Sequence, residues 1–510
     1  MRLREWRGWR AGLAAFGLGL LSALAFPPLH VIPALLVAVP GLLALIEGAR
    51  GHGRGFWAAA GVGFWFGFGM HLVGLYWITE AILLESTRYW WLVPLAVPAL
   101  SALLALFVAA PCGMAKLAPA GWRRVAMLGG AWLIAEFGRQ FIGTGFPWNP
   151  WGSVWAIPGG VGDVMIQPAS WVGTPGLTLA TVLLAGMASL GWRAWACGAV
   201  VLAGWGGAGM MRLREPVPPS PGIVVVLVQG NVTQGAKWNR DAAMEVFGRY
   251  LRLSSEGVAA AGGRASVVVW PETSSVFPLQ ADAGAREAIA EAVAPALGAI
   301  VGSLTFRDEQ GRVAAPSADV VPFNSMVAMG AKGVIGGIYD KWHLVPFGEY
   351  SPSWMPLAIQ IVPGHFGFGS GPSTLRLPGV PAFGGLICYE AIFPAQVVDE
   401  GNRPAWLVNI TNDAWFGDST GPRQHLAGAR MRAVEEGLPL MRAANTGITA
   451  GFDAWGRELG RLPRGMAGEL NLELPGRRAA TPFARFGLWV PLLLALGTIF
   501  TSLVPTLPKR

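Results

Sequence analysis

The sequence has few charged residues for its length and no metal-binding motif. Charged residues make up 13% and hydrophobic residues 53% of its 510 positions, whereas charged residues make up about 25% of an ordinary soluble domain. Its six histidines include no pair with metal-ligand spacing such as H-E-x-x-H, and no phosphate-binding G-x-x-x-x-G-K-[ST] loop occurs. The composition therefore argues against a soluble protein, and the sequence predicts neither a metal nor another cofactor.

The excess of positive charge does not indicate a nucleic-acid partner. The formal net charge is +8, but much of the excess lies in short arginine-containing segments beside apolar runs, where membrane topology explains it better. The 24 tryptophans and 71 glycines also fit a membrane protein, because tryptophan concentrates at membrane interfaces and glycine is common in spanning helices. We therefore expect the lipid bilayer, and no nucleic acid, among the partners.

Apolar stretches long enough to cross a bilayer occur at both ends of the chain. Seven of them precede one large polar segment and one follows it, and their approximate ranges are 11–27, 31–47, 55–78, 90–110, 122–140, 170–190, 193–211 and 484–505. The tryptophan-rich segment 141–169 is broken by glycine and proline and is interpreted as an interfacial or re-entrant loop. The pattern predicts a membrane α-helical bundle of about eight spans.

Basic residues predict the orientation of these helices. Arginine or lysine lies before the first span and after the second, fourth, sixth and eighth, which places these segments on one side, cytoplasmic by the positive-inside rule. The polar domain then lies on the extracytoplasmic side. Arg212 and Arg214 oppose this assignment, but long translocated domains follow the rule weakly. The motif "SALAF" at 22–26 resembles a signal-peptidase site, which leaves cleavage as the alternative to a retained first helix.

The polar domain has the pattern of an α/β fold. Predicted domains are a seven-helix transmembrane domain at 1–213, the polar domain at 214–482, and a final transmembrane helix with a tail at 483–510. Val224–Val228 is interpreted as a strand buried on both faces, and 239–260 has helical spacing. Further strands and helices alternate along the domain, so its sheets should be covered by helices on their outer faces.

Polar residues cluster directly after the predicted strands. Because α/β sheets hold their ligand sites at the carboxyl ends of strands, residues far apart in sequence can converge there. The residues in these positions are Asn231, Glu272, Cys388, Glu390, Asn412 and Asp413. Their shared position predicts one pocket.

Three residues have chemistry suited to acyl transfer, and each also has an ordinary structural interpretation. Glu272 follows an apolar strand, where desolvation favours a base, although a helix cap or salt bridge would explain it too. Lys341 lies between aromatic residues and could stabilise an oxyanion or pair with Asp340 or Glu349. Cys112 and Cys197 lie in or beside membrane spans, which leaves Cys388 without a disulfide partner in its own domain. Cys388 is then either a buried inert thiol or a nucleophile.

Three motifs resemble the nitrilase superfamily. They are "WPET", "YDKWHLVPFGEY" and "ICYE", in this order, and the resemblance covers roughly 220–475. It implies a four-layer α-β-β-α sandwich with a Glu-Lys-Cys triad. On this resemblance Glu272 is the general base, Lys341 stabilises the tetrahedral intermediate and Cys388 is the nucleophile. The family often has other residues where this chain has "YDKWH", and we interpret Trp342 as tolerated variation.

The whole chain resembles the membrane-embedded branch of that superfamily, the bacterial apolipoprotein N-acyltransferases. The motifs "GFPWNPWG", "QGNVTQGAKW", "HLVPFGEY" and "TNDAWFG" carry this resemblance. It implies ping-pong transfer of an acyl chain from a phospholipid, typically phosphatidylethanolamine, to the α-amine of a diacylglyceryl-cysteine apolipoprotein at the bacterial inner membrane. The supporting or substrate-binding positions expected with it are Trp238, Glu349, Tyr389, Glu390, Asn412 and Trp415.

Two other functions are compatible with parts of the sequence. A membrane-tethered nitrilase-like amidohydrolase would use the same triad and release its product to water. A transporter or scaffold with an inactive extracytoplasmic domain would not need an intact Glu-Lys-Cys set, so the set argues against it. Acyl transfer is the preferred interpretation, because lipid substrates explain why the catalytic domain is joined to so many apolar helices.

Overall fold

A computed structural model describes residues 3–50, 55–84, 89–237, 240–308, 310–317, 320–352 and 365–504. The chain divides into two units, one formed by Met1–Glu215 with Thr481–Arg510 and the other by Pro216–Ala480. We call the first the helical unit and the second the sandwich unit.

Helices form the first unit and alternate with strands in the second. The α-helices within the described residues are α1 Gly8–Ala23, α2 Leu35–Gly48, α3 Phe56–Gly74, α4 Ile78–Leu83, α5 Val93–Leu117, α6 Trp122–Phe141, α7 Gly160–Met165, α8 Ala169–Met187, α9 Trp192–Leu213, α10 Gln234–Lys237, α11 Arg240–Ala260, α12 Ala283–Ala292, α13 Gly421–Glu436, α14 Pro482–Phe486 and α15 Trp489–Leu503. Short 3-10 helices lie at Leu3–Glu5, Ile32–Ala34, Trp90–Leu92, Trp151–Trp155, Cys388–Ile392 and Asp413–Phe416.

The strands all belong to the sandwich unit. They are β1 Val224–Gln229, β2 Ser266–Val269, β3 Gly298–Arg307, β4 Val321–Gly330, β5 Ile335–Asp340, β6 Thr374–Leu377, β7 Val380–Ile387, β8 Trp406–Thr411, β9 Leu440–Ala444, β10 Thr449–Phe452, β11 Glu458–Leu462 and β12 Gly468–Glu473.

Within the described residues, four helices of the helical unit are long and apolar enough to cross a membrane. They are α3, the stretch Trp90–Leu117 that contains α5, α8 and α9, and they coincide with four of the predicted spans. The other predicted spans contain α1, α2, α6 and α15, which are shorter or, in α6, carry four charged residues. A helical N-terminal region with several apolar helices is therefore confirmed, and the total of about eight spans stays a prediction.

Glycines allow the helices of this unit to approach closely. A Cβ added to Gly63 of α3 would lie 2.6 Å from the Cβ of Cys112 in α5. In the same way, a Cβ on Gly130 of α6 would lie 2.7 Å from the carbonyl oxygen of Ala495 in α15. Small residues at helix contacts are typical of membrane bundles, where van der Waals packing holds the helices together.

The tryptophan-rich segment between α6 and α8 is largely buried inside the helical unit. Trp148, Trp151 and Trp155 are all buried, and the Trp151 ring lies 4.6 Å from the ring of Trp132 in α6. Irregular backbone is tolerated at membrane depth only where protein covers it. This packing therefore allows the broken segment to belong to a membrane-embedded unit.

The described residues of the sandwich unit form two six-stranded sheets. The strand orders are β12-β1-β2-β3-β4-β5 and β11-β10-β9-β8-β7-β6. The strands β1, β2 and β3 are parallel to one another, as are β7, β8 and β9, and the outer pairs are antiparallel. The segments that follow β1, β2, β7 and β8 contain the polar residues predicted to cluster, with Asn231 after β1.

The two sheets pack face to face through apolar side chains. Val225 and Leu227 of β1 share one buried cluster with Ile387 of β7 and Val408 of β8. Side chains of α11 and α12 cover the outer face of the first sheet, and those of α13 cover the outer face of the second. The layers therefore follow the order α-β-β-α, and the expected α/β domain with helices on the outer faces of its sheets is confirmed.

Candidate active site

Three predicted site residues lie where strands of the sandwich unit end. Glu272 follows β2, Lys341 directly follows β5, and Cys388 directly follows β7 and opens a 3-10 turn. Their exposed fractions are 5%, 1% and 6%. Burying polar groups this deeply costs free energy unless they are paired. The ion pairs and hydrogen bonds of these three residues therefore show how the site compensates for their burial.

Lys341 pairs with two carboxylates. Its Nζ lies 3.1 Å from Glu272 Oε1 and 2.9 Å from Glu349 Oε2. Burial alone would lower the pKa of Lys341, but the two carboxylates outweigh it and the pKa lies above its ordinary value. Lys341 is therefore charged at neutral pH, and its charge would interact favourably with a thiolate at Cys388.

Amide groups fix the carboxylate of Glu272. The side-chain amide of Asn324 donates to Glu272 Oε1 at 2.7 Å and to Glu349 Oε1 at 2.8 Å. The backbone N–H of Asn412 donates to Glu272 Oε2 at 2.8 Å, and the backbone N–H of Lys341 donates to the carbonyl of Asn324 at 2.8 Å. Both oxygens of Glu272 are thereby held in place, so its orientation toward the neighbouring groups is set before any substrate binds.

Cys388 occupies a sheltered and strained backbone position. Its φ is +49°, in the left-handed region that residues other than glycine rarely adopt, and such strain is concentrated at functional sites. Burial raises the pKa of the Cys388 thiol, the charge of Glu272 raises it further, and the charge of Lys341 opposes the rise. The thiol is therefore protonated at neutral pH, and a nucleophilic role requires a base.

Hydrogen bonds to Glu390 connect the 3-10 turn that begins at Cys388 with the end of β5, just before Lys341. Glu390 Oε2 accepts from the hydroxyl of Tyr339 at 2.8 Å and from the N–H of Ile387 at 2.6 Å. Its Oε1 accepts from the N–H of Trp342 at 2.8 Å. Glu390 is fully buried, and these bonds link the residues flanking Cys388 to those flanking Lys341.

The other predicted residues differ in burial and in the contacts that they make. The side chain of Asn412 bonds to Gln234 and Asn445, while Tyr389 is buried with its ring edge-on to Phe393. Trp415 is half-buried in the 3-10 helix after β8. Trp238 lies outside the described residues.

Sequence reasoning missed two members of the cluster. Asn324 lies within β4, and Tyr339 lies within β5. Neither follows a strand, and so the rule that found the other polar residues could not find them. A buried asparagine in a strand is nevertheless unusual, and this signal was present at Asn324.

The described residues contain no group of three or more histidine, cysteine, aspartate or glutamate side chains arranged to hold a metal. The donors of the cluster are instead amides, one ammonium and one hydroxyl. Such a set can hold carboxylates and stabilise a developing oxyanion.

Two family descriptions match the chain. A carbon-nitrogen hydrolase family matches residues 225–472, and an apolipoprotein N-acyltransferase N-terminal domain matches residues 18–187. The apolipoprotein N-acyltransferase of Rhodopseudomonas palustris is 39% identical over 506 residues, covering 94% of this chain and 92% of the relative. The chain belongs to the apolipoprotein N-acyltransferase family.

Further relatives extend over the same length. The apolipoprotein N-acyltransferase of Brucella melitensis is 36% identical over 520 residues, covering 98% of this chain and 96% of the relative. Among solved structures, an amidase from Nesterenkonia sp. is 18% identical with a TM-score of 0.37, covering 51% of this chain and 92% of the amidase. Membership in the apolipoprotein N-acyltransferase family confirms the resemblance found in the motifs, and it makes the chain an acyltransferase enzyme.

Proposed function

We propose that the chain transfers an acyl group from a phospholipid to the N-terminal α-amine of a diacylglyceryl-cysteine apolipoprotein, with Cys388 as the nucleophile. One observation carries the proposal. A buried thiol lies in the electrostatic field of a buried Lys341–Glu272 ion pair, in a chain whose relatives are named for acyl transfer to apolipoproteins.

The first half-reaction acylates Cys388. Glu272 removes the proton of the thiol as Sγ attacks the ester carbonyl of the phospholipid, and an S–C bond forms. Lys341 stabilises the resulting oxyanion, because its charge is fixed by two carboxylates. When the intermediate collapses, the ester C–O bond breaks and protonated Glu272 returns its proton to the leaving lysophospholipid. The product is an acyl-thioester on Cys388.

The second half-reaction transfers the acyl group to the acceptor. The apolipoprotein amine attacks the thioester carbonyl while Glu272 removes a proton from nitrogen. The C–N bond forms, the C–S bond breaks, and the released thiolate takes the proton from Glu272. Glu349 and Asn412 keep Lys341 and Glu272 in position throughout, while Tyr389 packs beside the nucleophile. Because water would hydrolyse the thioester, the burial of Cys388 favours aminolysis.

The membrane supplies both substrates. In our proposal the chain crosses the bacterial inner membrane about eight times and exposes the sandwich unit on the periplasmic side, as the basic segments before and between its apolar stretches favour. Phosphatidylethanolamine is the proposed donor. Trp238 and Trp415 are proposed to line the lipid entrance, since indole rings suit a polar–apolar boundary.

An acyl-enzyme should be isolable with the donor alone. Protein incubated with phosphatidylethanolamine is expected to gain the mass of one acyl chain on Cys388, as measured by intact and peptide mass spectrometry. Neutral hydroxylamine should remove the adduct, and a diacylglyceryl peptide should discharge it as N-acyl peptide. Glu272→Gln is expected to slow adduct formation by about 10²–10⁴-fold, the usual contribution of a general base.

Two variants serve as controls for this experiment. Cys388→Ala should show no adduct, and Glu291→Gln, an exposed glutamate of α12, should form it at the wild-type rate. An adduct that only water discharges would instead support a membrane-tethered amidohydrolase. If neither wild-type protein nor Glu272→Gln forms an adduct over long incubation, Cys388 is not the nucleophile.

A further inference from the structure

A second polar cluster lies directly behind the nucleophile. Asp413, His425 and Arg442 come from the 3-10 helix after β8, from α13 and from β9, and at most 1% of each is exposed. Arg442 Nη2 donates to Asp413 Oδ2 at 2.7 Å and lies 3.2 Å from His425 Nδ1. His425 Nε2 lies 2.9 Å from the carbonyl oxygen of Cys388. The proposed chemistry uses none of the three side chains, although burying such groups is costly.

The partners of His425 determine where its proton lies. A carbonyl oxygen can only accept, so the Nε2 that contacts Cys388 carries hydrogen. Asp413 Oδ1 lies 3.0 Å from Nδ1 and accepts from the Thr411 hydroxyl at 3.0 Å. Burial and Arg442 lower the pKa of His425 against the opposing charge of Asp413. The contact with Cys388 therefore places a hydrogen on Nε2 whether or not Nδ1 also carries one.

The other two members of the cluster are both ionised. Burial would raise the pKa of Asp413, but Arg442 and the contact with His425 outweigh it and hold the pKa at about 2. Asp413 and Arg442 thus form a buried ion pair against the Nδ1 edge of His425. Such a pair can hold the ring in one orientation.

The backbone of Cys388 is held from both sides. On its N-terminal side, Glu390 accepts from the N–H of Ile387 at 2.6 Å. On its C-terminal side, His425 donates to the carbonyl of Cys388 itself. Because φ of Cys388 lies in the left-handed region, where alternatives are lower in energy, these two contacts help to hold the direction of the Cα–Cβ bond from which Sγ extends.

We infer that His425 is a positioning residue for Cys388, whose Nε2–H bond to the Cys388 carbonyl aims Sγ toward Glu272 and Lys341. Asp413 and Arg442 keep the ring in the orientation that makes this bond. The inference rests on the proposed function, because it presumes that Cys388 is the nucleophile. Since His425 touches no reacting atom, its loss should slow acylation without weakening the binding of phospholipid.

Two substitutions of His425 test whether its hydrogen bond to the Cys388 carbonyl is needed or whether the imidazole ring itself is. A glutamine amide nitrogen can reach the place of imidazole Nε2, whereas an asparagine amide reaches only the place of Nδ1. We expect His425→Asn to lower the single-turnover rate of Cys388 acylation by phosphatidylethanolamine by about tenfold or more, as for a lost buried hydrogen bond. The half-saturating phospholipid concentration should change by less than about twofold. His425→Gln should restore most of the rate.

A matched control separates positioning from stability. Arg432 donates to Glu435 at 3.0 Å within α13, the helix that also carries His425, and Glu435→Gln weakens this buried pair. Glu435→Gln should lower Tm without slowing acylation of the folded protein. If His425→Asn does not fold, Arg442→Lys serves instead. It keeps a charge beside Asp413 but loses the planar guanidinium that contacts Asn409, Asp413 and His425 together, so it should slow acylation as well.

The outcomes distinguish this inference from the proposed function. Alkylation of Cys388 by iodoacetamide is measured without phospholipid and should slow in His425→Asn but not in His425→Gln. Wild-type protein that alkylates normally but accepts no acyl chain would contradict the proposed function only. A wild-type acylation rate in His425→Asn, or equal losses in both His425 variants, would overturn the positioning role.

Discussion

Lys341→Met is expected to remove most of the acylation activity and to destabilise the sandwich unit. The ammonium of Lys341 is 1% exposed and lies within 3.1 Å of Glu272 and 2.9 Å of Glu349. Methionine has similar bulk but leaves two buried carboxylates without their cation, which costs about 3–5 kcal/mol. Loss of the charge that we propose stabilises the oxyanion should lower the acylation rate by about 10²–10³-fold. Denaturant unfolding and single-turnover acylation measure the two effects.

The destabilisation should depend on pH. Against the effect of burial, Glu272 and Glu349 raise the pKa of Lys341, so the folded protein holds the lysine proton more tightly than the unfolded chain does. This contribution to wild-type stability is fully present below about pH 10.4, the ordinary pKa of lysine, and is lost as pH rises toward the folded pKa. The gap in unfolding free energy between wild type and variant should therefore be full at about pH 8 and should narrow above about pH 10.

A second lysine supplies the control. Lys332 is exposed in the turn between β4 and β5, so Lys332→Met removes the same charge without breaking a buried pair. It should leave both stability and acylation close to wild type. A Lys341→Met protein as stable as wild type at pH 8 would contradict the account of Lys341 as the cation that compensates two buried carboxylates.

Strand-end position is the signal that made much of the site predictable. Glu272, Cys388 and Asn412 each follow an apolar run that is a buried strand in the structure. Their sequence separations are large, but buried strands of α/β sheets bring such ends together. The layered fold could be predicted for the same reason, since alternating apolar strands and amphipathic helices restrict how the faces can be covered.

The rest of the site depends on tertiary contacts that leave little trace in local sequence. Asn324 lies within β4, and its segment "FNSMVAMG" predicts a strand but does not show which groups the asparagine contacts. Arg442 lies within β9 and is fully buried, and only the fold reveals that Asp413 compensates its charge. The strand β5, which ends just before Lys341, contains two glycines and lacks the apolar run that marks the other strands.

Glu390→Gln is expected to disturb Cys388, the proposed nucleophile, and Lys341 together. The two oxygens of Glu390 accept from the Tyr339 hydroxyl and from the backbone N–H groups of Trp342, His343 and Ile387. A glutamine amide turns one acceptor into a donor that faces other donors, at about 1–3 kcal/mol for each buried group left unsatisfied. A shift of about 1 Å in either neighbour costs about 10²-fold in rate. We expect losses of this size in acylation rate and stability.

The pH dependence of acylation tests the same contact. Burial raises the pKa of Glu390 to about 7, against hydrogen bonds from Ile387 and Trp342 that oppose the rise. Because only the ionised carboxylate accepts from all its donors, the wild-type rate should fall as pH drops through about 7. Stability should change in the opposite direction. The folded pKa exceeds the unfolded value of about 4.3, so the contribution of Glu390 to stability is lost as pH rises toward 7.

A charge-matched variant decides whether these effects belong to Glu390. Glu400→Gln alters an exposed glutamate and should retain the wild-type acylation rate and stability. It should also retain the acidic limb of the pH profile, which is the fall in acylation rate as pH drops through about 7. Glu390→Gln has no carboxyl at this position, so its residual rate should vary little near pH 7. If the acidic limb persists unchanged in Glu390→Gln, another group, with Glu272 as the first candidate, controls it. Glu390 would then contribute through its hydrogen bonds alone and not through its ionisation.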